Sequence, residues 1–392
     1  MASATKIERV RPVLFANRSS RFFTPAATLT LNVAERTGML LSLDAWKIRW
    51  TTALSQARPP LPKSPAGLYG RATMRVLGHA RAAGADRGAV LAIGNFDGVH
   101  LGHQTVLAEA HARARAAGTR LAVLTFEPHP RSVFQPGIAP FRLTPFRDKV
   151  RLLGGLGVDL LIARRFDLAF AAKSAEDFVR ELLVEGLGVR HVVVGYDFVF
   201  GNKRRGNPTL LRELGAAHGF TVSIVDPVAS GSGAVYRSTL IREHLAAGRP
   251  AEAASLLGRA WEIGGRVRLG DRLGRTIGFP TANIALADYL RPAAGVYAVR
   301  AGFAEGFRTR WLDGAANLGW RPTVGGTDLR LEAHLFDFDG DLYGKRLRVA
   351  FIAHLRPEQR FAGLDALKAQ IAKDCALARA RLAAEPKAAG DA

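Results

Sequence analysis

The sequence is poor in cysteine and lacks long apolar runs. Its 392 residues include one cysteine, Cys375, which excludes an internal disulfide bond and a zinc site built from several cysteines. No run of the sequence approaches the ~18 consecutive apolar residues of a membrane-spanning helix. The single cysteine fits a reducing compartment, so we expect a cytoplasmic protein that does not enter the membrane.

Acidic and aromatic residues are also scarce. The chain has 34 Asp and Glu residues and 55 Lys and Arg residues, which gives a net charge of +21. Such a balance is typical of proteins that bind nucleic acid, anionic membranes or phosphorylated ligands. Aromatic residues make up only 8% of the chain, and no clustered basic run with stacking aromatics follows residue 73. We therefore expect no nucleic-acid partner.

Residues 1–73 differ in composition from the remainder. They hold 11 Lys and Arg against 3 Asp and Glu, contain the proline-rich stretch 58–65, and have no sustained helix or strand period. Three interpretations stay open: a disordered basic tail, a targeting peptide, or a translated stretch upstream of a start at Met74. This segment is left out of the fold prediction.

From residue 74 to residue 257, short apolar strands alternate with helical patterns. Continuous apolar strands between helices are typical of a parallel sheet covered on both faces, so we predict a doubly wound α/β domain. Ser174 and Asp177 form a plausible capping pair for one helix. The predicted strands are 89–94, 120–126, 158–163, 191–198 and 220–225, and the predicted helices are 101–118, 144–156, 174–187, 208–218 and 238–247.

The pattern changes after Leu257, and residues 258–385 form the second predicted domain. Residues 329–344 alternate between apolar and polar, and Asp339-Gly340 is a hairpin turn signal. We predict a small closed antiparallel β-barrel followed by an amphipathic helix. The predicted apolar stripe of that helix, with Cys375 as ordinary core filling, consists of Leu364, Leu367, Ile371 and Cys375.

The stretch "NFDGVHLGHQ", residues 95–104, follows the first predicted strand of the α/β domain. Ligands of doubly wound sheets bind at the carboxyl ends of the strands. Gly98 allows a tight turn, and His100 and His103 fall at the start of the next helix, where free N–H groups and the helix dipole favour anions. A polyphosphate site is one interpretation. Two surface histidines, or a metal site that includes His129, are the alternatives.

Resemblance decides among these interpretations. The stretch resembles the H-x-G-H signature of the nucleotidylyltransferase superfamily, in the form found in bacterial bifunctional riboflavin kinase/FMN adenylyltransferase (FAD synthetase). Four further segments resemble that family in order, namely "TFEPHP" (125–130), "RLTPFRDK" (142–149), "VVGYDFVFG" (193–201) and "STLIR" (238–242). The ordered set is far more specific than any one segment.

The resemblance implies that the phosphate of FMN attacks the α-phosphorus of ATP, giving FAD and pyrophosphate with Mg²⁺ as cofactor. His100 and His103 would face the phosphates, and Arg242 would grip the β/γ end together with the hydroxyls of Ser238 and Thr239. The remaining implied residues are Asn95, Asp97 and Gly98 for the nucleotide, and Asp197 for the flavin.

Two positions depart from the family pattern. Arg237 stands where the family usually has the first of two serines, and it adds a positive charge near the expected triphosphate. Asp197 stands where many relatives have asparagine.

A second constellation lies in "GRVRLGDRLGRTIGFPTANI", residues 265–284. The stretch contains a glycine-rich loop whose backbone N–H groups could bind phosphates, with glycines at Gly270, Gly274 and Gly278. Thr281 and Asn283 offer oxygens suited to Mg²⁺. Taken alone, the stretch is more typical of a glycine-rich β-turn region than of a phosphate site.

Resemblance again selects the functional interpretation. "GFPTAN" (278–283), "NLGWRPTVGG" (317–326), "LEAHLFDFDGDLYG" (331–344) and "LRPEQRF" (355–361) resemble, in order, the riboflavin kinase module of the same family. The implied reaction moves the γ-phosphoryl group of ATP onto the ribityl hydroxyl of riboflavin. Glu332 would be the catalytic base, Thr281 and Asn283 would hold Mg²⁺ and ATP, and Arg356 would lie near the flavin. Arg360 and Gln370 are interpreted as structural.

The expected partners are therefore riboflavin, FMN, FAD and ATP, while self-association stays open. Two other functions compete. One is a basic nucleic-acid-binding protein on an adenylyltransferase scaffold, since fold alone does not fix function. The other keeps one activity and uses the second half as a flavin sensor.

Overall fold

The structure, a computed structural model, describes residues 74–385 except for 79–83, 230–234, 271–272, 306–307 and 324–325. The interpretations given for residues 1–73 lie outside the described residues.

The first sheet is parallel throughout, with the strand order β1-β4-β3-β2-β5-β6. Its central strands are buried on both faces, because Leu91 and Ile93 of β2 pack into one apolar cluster while Val90 and Ala92 pack into another. The predicted doubly wound fold is confirmed. The strands are β1 (Arg75–Leu77), β2 (Val90–Ile93), β3 (Leu121–Glu127), β4 (Leu160–Arg165), β5 (His191–Gly195) and β6 (Thr221–Val225).

Helices connect these strands and cover both faces of the sheet. The predicted cap of α5 is confirmed, since the Asp177 backbone N–H donates to Ser174 Oγ over 2.9 Å. After one α-helical turn this segment continues as a π-helix over Phe178–Leu187. The helices are α1 (Leu101–Ala116), α2 (Pro130–Phe134), α3 (Phe146–Gly155), α4 (Leu168–Ala171), α5 (Ala175–Asp177), α6 (Pro208–His218), α7 (Ser238–Ala246) and α8 (Pro250–Leu257).

The second sheet is antiparallel, in the order β7-β12-β9-β10-β11-β8. It curls so far that a bridge between Arg268 and Asn283 joins the segment after β7 to the opposite edge strand, β8. The predicted barrel-like module is confirmed. Its elements are β7 (Trp261–Arg266), α9 (Leu273–Thr276), β8 (Ala282–Ala285), β9 (Gly295–Glu305), β10 (Arg308–Thr323), β11 (Gly326–Leu335), β12 (Arg346–Arg356) and the helix α10 (Leu364–Ala384).

The predicted hairpin at Asp339-Gly340 is wrong. β11 ends at Leu335, and β12 begins only at Arg346 and pairs with β9 and β7 rather than with β11. The turn residues lie in a loop that carries the chain across the barrel. The Asp-Gly signal correctly marks a change of chain direction, but it does not determine which strand is the partner.

The predicted apolar stripe of α10 is only partly correct. Leu364 is 57% exposed, and the buried row of the helix is Asp374, Ala378 and Leu382. Cys375 is half-buried against the cluster that holds Ala378, in agreement with its predicted packing role. Leu367, Ile371 and Cys375 are half-buried, so the predicted stripe leads toward the buried row at the C-terminal end of the helix. None of the helices in the described part of the chain is both long and apolar enough to cross a membrane.

One apolar core joins the barrel to α7, α8 and the loop before α3. Leu143, Leu245 and Leu257 of the α/β part belong to the same buried cluster as Trp261 and Tyr289 of the barrel part. Trp261 is 1% exposed, and its indole N–H donates to the Leu143 carbonyl oxygen over 2.9 Å. The barrel therefore packs directly against the loop that precedes α3.

Trp261→Phe tests this junction. The change leaves the buried Leu143 carbonyl without its donor, so the free energy of unfolding should fall by about 1–3 kcal/mol. Denaturant unfolding followed by circular dichroism measures it. Trp320→Phe is the matched control, because Trp320 is 50% exposed, and its effect should stay within about 0.5 kcal/mol. Equal effects of the two substitutions would contradict the role of the indole.

Candidate active site

The turn between β2 and α1 has an unusual backbone. Phe96, Gly98 and Val99 all have positive φ, of 48°, 90° and 44°. Gly98 adopts this conformation readily, but for the β-branched Val99 it costs of the order of 1–3 kcal/mol. A Cβ on Gly98 would also lie 2.9 Å from Leu143 Cδ1. The turn therefore depends on contacts from outside the segment to keep its shape.

The Asp97 carboxylate supplies most of these contacts. It is 4% exposed, and it accepts from the backbone N–H groups of Leu143 and Thr144 at 2.9–3.2 Å. Arg242 forms an ion pair with it at 2.5 Å. The Thr144 hydroxyl in turn accepts from the Gly98 N–H at 2.8 Å. Asp97 thus ties the turn to the loop before α3 and to α7, which supports the predicted shaping role.

The two predicted histidines are stacked on one another. Their ring centroids lie 3.7 Å apart with 20° between the planes. His100 is the N-cap of α1, and its Nδ1 accepts from the His103 backbone N–H at 3.3 Å. Gly102 makes room for the stack, because a Cβ there would lie 3.2 Å from the His100 ring. The prediction that both histidines lie at the start of the helix is correct.

Both imidazoles are neutral at physiological pH. Burial lowers the pKa of His100 to about 4, although the nearby Asp97 carboxylate opposes the shift. Burial also lowers the pKa of His103 well below its usual value, and the neighbouring His100 adds to that effect. Since Nδ1 of His100 accepts a hydrogen bond, the proton of the neutral ring sits on Nε2. The buried Nδ1 of His103 has no protein partner. Both features suit a ligand that exchanges hydrogen bonds with the pair.

The start of α7 lies against this turn. Ser238 donates its hydroxyl to the Asp97 carbonyl oxygen over 2.8 Å, while the side chain of Thr239 is exposed. Arg242 donates through Nε to the Phe141 carbonyl at 2.9 Å, in addition to its ion pair with Asp97. The predicted phosphate-binding arginine is thus at the site, but part of its hydrogen-bonding capacity is used by the protein itself.

The two departures from the family pattern lie together at the rim. Arg237 is exposed, and its guanidinium donates to the Tyr196 hydroxyl at 3.2 Å. Asp197 is also exposed and lies close enough to stabilise the charge on Arg237. Asn95 is exposed at the other end of the turn. These three residues therefore lie at the exposed edge of the site, whereas Asp97 and His100 lie in its buried part.

A buried charge cluster beneath the histidines was missed by the sequence prediction. Lys149, 1% exposed, donates to Glu127 Oε1 at 3.1 Å and to the Thr125 hydroxyl at 3.2 Å. Arg142 pairs with the other oxygen of Glu127 at 2.6 Å. Burial lowers the pKa of the adjacent His129 to about 4. Glu127, Arg142 and Lys149 lie within the segments "TFEPHP" and "RLTPFRDK", so the motifs were the available signal. Their spacing in the sequence did not indicate that the three side chains form ion pairs with one another.

The second site is built on the inner strands of the barrel. In the ladder, Glu332 lies directly opposite Asn283 on one side and Asn317 on the other. Directly opposed residues of an antiparallel pair project on the same face, so a carboxylate stands between two amides. Leu331 and Ala333 on the opposite face are buried. Asn317 lies in a quoted family segment, but the sequence alone did not single it out.

The glycine-rich loop packs against this row of polar residues. A Cβ on Gly270 would lie within 2.6 Å of the Asn283 amide, and one on Gly274 would lie 2.4 Å from the Phe279 carbonyl oxygen. Gly278 has a φ of 88°. The predicted loop residues and the predicted metal ligands therefore come together. A small pocket there is lined by Gly270, Arg275, Pro280, Thr281, Asn283 and Tyr343.

The lining of this pocket holds the two predicted metal ligands, which are too few donors for a bare metal ion. Thr281 and Asn283 supply two hard oxygen donors, and phosphate oxygens and water would complete the shell that Mg²⁺ prefers. Arg275 lines the same pocket and adds positive charge for phosphate. Among the described residues, no group of three His, Cys, Asp or Glu side chains is arranged to hold a metal. The metal alternative considered for His100, His103 and His129 is therefore unsupported.

Arg356 serves the C-terminal helix in this structure. Its guanidinium makes a bidentate pair with Asp374 of α10 at 2.7–3.1 Å and also donates to the Pro357 carbonyl. Gln370 donates to the same carboxylate at 2.9 Å, in line with its predicted structural role. Asp374 is 4% exposed, so this pair anchors α10 on the barrel. The predicted flavin contact of Arg356 stays a prediction.

Comparison with known proteins agrees with this architecture. The FAD synthetase family model matches residues 82–239, and the riboflavin kinase family model matches residues 257–382. The bifunctional riboflavin kinase/FMN adenylyltransferase of Escherichia coli (strain K12) is 46% identical over 74% of this chain and 92% of its own length. The Haemophilus influenzae protein of the same name is 43% identical over 75% of this chain and 94% of its own length.

A crystal structure described as a macrolide-efflux protein from Streptococcus pneumoniae superimposes with a TM-score of 0.69. It is 29% identical, and the match covers 78% of this chain and 99% of the other. Fold and sites together define a two-domain transferase that uses nucleotides. The chain belongs to the bifunctional riboflavin kinase/FMN adenylyltransferase family.

The buried imidazole of His100 should make stability depend on pH. An unfolded imidazole titrates near 6.5 and folded His100 near 4, so the unfolded chain binds the proton more readily between these values. Stability should fall as pH drops from about 6.5 to about 4, and His100 alone contributes up to about 2 kcal/mol of that loss at pH 5. Urea unfolding at pH 7 and pH 5 measures the difference.

His100→Gln should reduce the difference in the free energy of unfolding between pH 7 and pH 5, even if it lowers that free energy at both pH values. His218→Gln, at an exposed helix end, is the control and should leave the difference unchanged. If His100→Gln kept the full wild-type difference, the assignment of a buried neutral ring would be wrong.

Proposed function

We propose that this protein carries out both reactions of its family: it phosphorylates riboflavin with ATP to give FMN, and it adenylylates FMN with a second ATP to give FAD. The observation that carries the proposal is the presence of two separate polar sites on one chain. One is built on paired neutral imidazoles at a helix start, and the other on a carboxylate between two amides.

The surroundings of the histidine pair suit an anionic ligand. Arg242, Lys149 and Arg259 bring three positive charges close to the rings, against the carboxylate of Asp97, while Glu127 is paired with both Lys149 and Arg142. Buried hydrogen-bond donors backed by excess positive charge are what a triphosphate requires. The helix dipole of α1, a helix of 16 residues, acts in the same direction.

In the adenylylation step, a phosphate oxygen of FMN attacks the α-phosphorus of ATP, and the bond to pyrophosphate breaks. The nucleophile is already an anion, so the chain needs no base. The N–H groups of His100 and His103 hold the phosphate oxygens in line, and the α7 start with Ser238, Thr239 and Arg242 binds the leaving pyrophosphate. Asn95, Asp97 and Gly98 hold the turn against the nucleotide, and Asp197 at the rim faces the flavin.

In the kinase step the nucleophile is a primary hydroxyl, which is weak. Glu332 accepts its proton as the oxygen attacks the γ-phosphorus, and ADP leaves. Gly270, Gly274 and Gly278 keep the loop close to the phosphates. Thr281 and Asn283 would hold Mg²⁺, which would neutralise charge on the phosphates of ATP. Arg356 is kept as the predicted residue near the flavin.

The division of the chain into an adenylyltransferase domain, 74–257, and a kinase domain, 258–385, is part of the proposal. It is supported by the change from the parallel to the antiparallel sheet between β6 and β7. A cytoplasmic location and self-association remain predictions from the sequence.

Incubation with riboflavin, ATP and Mg²⁺, with chromatographic separation of the flavins, tests the proposal as a whole. Both FMN and FAD should form, and removal of Mg²⁺ with a chelator should stop both reactions. If FMN accumulated without FAD although both substrates were saturating, the chain would be a kinase with a second, non-catalytic flavin domain.

Glu332→Gln separates the two sites. The amide keeps the shape of the side chain but cannot accept the proton, so kcat for riboflavin phosphorylation should fall by about 10²–10⁴-fold. Formation of FAD from supplied FMN should stay within about two-fold of wild type, since the other site is untouched. Parallel loss of both activities in a folded protein would contradict the division of labour.

His103→Ala should have the reverse effect. Loss of one preorganised donor should lower kcat/KM for FMN adenylylation by about 10²–10³-fold, while riboflavin phosphorylation persists. The exposed His218→Ala, in the same domain, is the control and should retain both activities. Undiminished FAD production by His103→Ala would remove the phosphate role of this residue.

A further inference from the structure

The strained turn that carries the histidines is held by a side chain from outside the α/β domain. Arg259 follows α8 and precedes the first barrel strand, β7. Its guanidinium donates to the Gly98 carbonyl at 2.6 Å and to the carbonyls of Val99 and Leu257 at 3.2 Å. Three carbonyl oxygens therefore converge on one guanidinium, beside the residues with positive φ.

Further contacts lock the same junction. Gln104 of α1 donates to the carbonyls of Val99 and Leu257 at 2.9 and 3.0 Å. Gly258 has a φ of 73°, and a Cβ there would lie 2.7 Å from Leu101 Cδ2. The segment Leu257–Arg259 thus lies directly against the start of α1, with no room for a side chain at its centre.

A carbonyl group beside a residue of positive φ cannot join the hydrogen bonding of a regular helix or sheet. In a buried site it therefore needs another hydrogen-bond donor to be stable. Arginine suits this task because its planar fork serves several acceptors at once and stays charged. Burial lowers the pKa of Arg259 only to about 10, so it is protonated at neutral pH. Its charge also lowers the pKa of both His100 and His103.

We propose that Arg259, which begins the kinase half of the chain, is a positioning residue for FMN adenylylation in the other half. It fixes the Gly98–Val99 turn and thereby aims the paired imidazoles at the phosphates. The kinase domain thus completes the adenylyltransferase site structurally, although it contributes no group to the chemistry there. This inference rests on the adenylyltransferase activity proposed above.

Arg259→Met in the full-length protein tests the proposal. A small misplacement of the histidines should lower kcat for FMN adenylylation by about 30- to 100-fold, with a smaller change in KM for ATP. Riboflavin phosphorylation by the same sample should stay within about two-fold and thereby reports correct folding. Arg259→Lys should be intermediate, because an ammonium group lacks the fork that serves several carbonyls.

A spectroscopic readout separates positioning from general stability. In Arg259→Met, the pKa of His100, followed by NMR of the labelled imidazole ring, should rise above about 4 because a neighbouring positive charge is lost. Arg266→Met is the matched control, since Arg266 also donates to a backbone carbonyl, that of Gly344, but within the barrel. Arg266→Met should leave both activities and the His100 titration unchanged.

Three results would each overturn the proposal: unchanged adenylylation in Arg259→Met, equal loss of both activities, or an unaltered His100 titration. A different result concerns the underlying function. If the wild-type protein formed no FAD from FMN and ATP, the proposed adenylyltransferase activity would fail, independently of Arg259.

Discussion

The buried carboxylate of Asp97 is the interaction on which the adenylyltransferase site depends. It binds the loop before α3 through two backbone N–H groups and binds α7 through Arg242, and it does so from within a turn of positive φ. A buried carboxylate is stable only when it is paired and hydrogen-bonded, and here both conditions are met. Because one side chain ties its own turn to two other segments, the shape of the turn, the place of the histidines and the orientation of Arg242 are coupled. Arg242, the arginine proposed to bind phosphate, is thus held in place by Asp97.

The same coupling extends into the barrel. Leu143, whose N–H binds Asp97, offers its carbonyl to the indole of Trp261, while Tyr289 of the barrel contacts Asp148 of α3 through its hydroxyl. Asp148 neighbours Lys149, the lysine buried beneath the histidines. Two elements that the sequence suggests are independent modules therefore share a core and a hydrogen-bond network at one edge of the active site. These contacts run beside the turn on which the proposed positioning role of Arg259 depends.

Periodicity was sufficient to predict the architecture. Apolar strands such as 89–94 and 158–163 alternate with helices, and this leaves few topologies other than a covered parallel sheet. It was not sufficient to predict which strands pair or which charged residues are buried. The Asp-Gly signal at 339–340 marked a turn but not the pairing of β12 with β9. The stripe predicted for α10 did not include Asp374, a charged residue that is buried. Glu127, Arg142 and Lys149 lie 22 residues apart or less in sequence, yet each alone resembles an ordinary surface charge. Their pairing depends on the register of β3 against α3, which no local pattern encodes.

The two sites differ in the way that their nucleophiles require. Around His100 and His103, the two buried carboxylates are bound to cations, Asp97 by Arg242 and Glu127 by Lys149 and Arg142, so neither is poised to act as a base. The proposed adenylylation needs no base, since the phosphate of FMN attacks as an anion. In the barrel, Glu332 lies opposite Asn283 and Asn317 in the ladder. The proposed kinase step does need a group that accepts the proton of a hydroxyl, and Glu332 is the carboxylate proposed for it. The proposed roles of the two sites thus follow the different requirements of their nucleophiles.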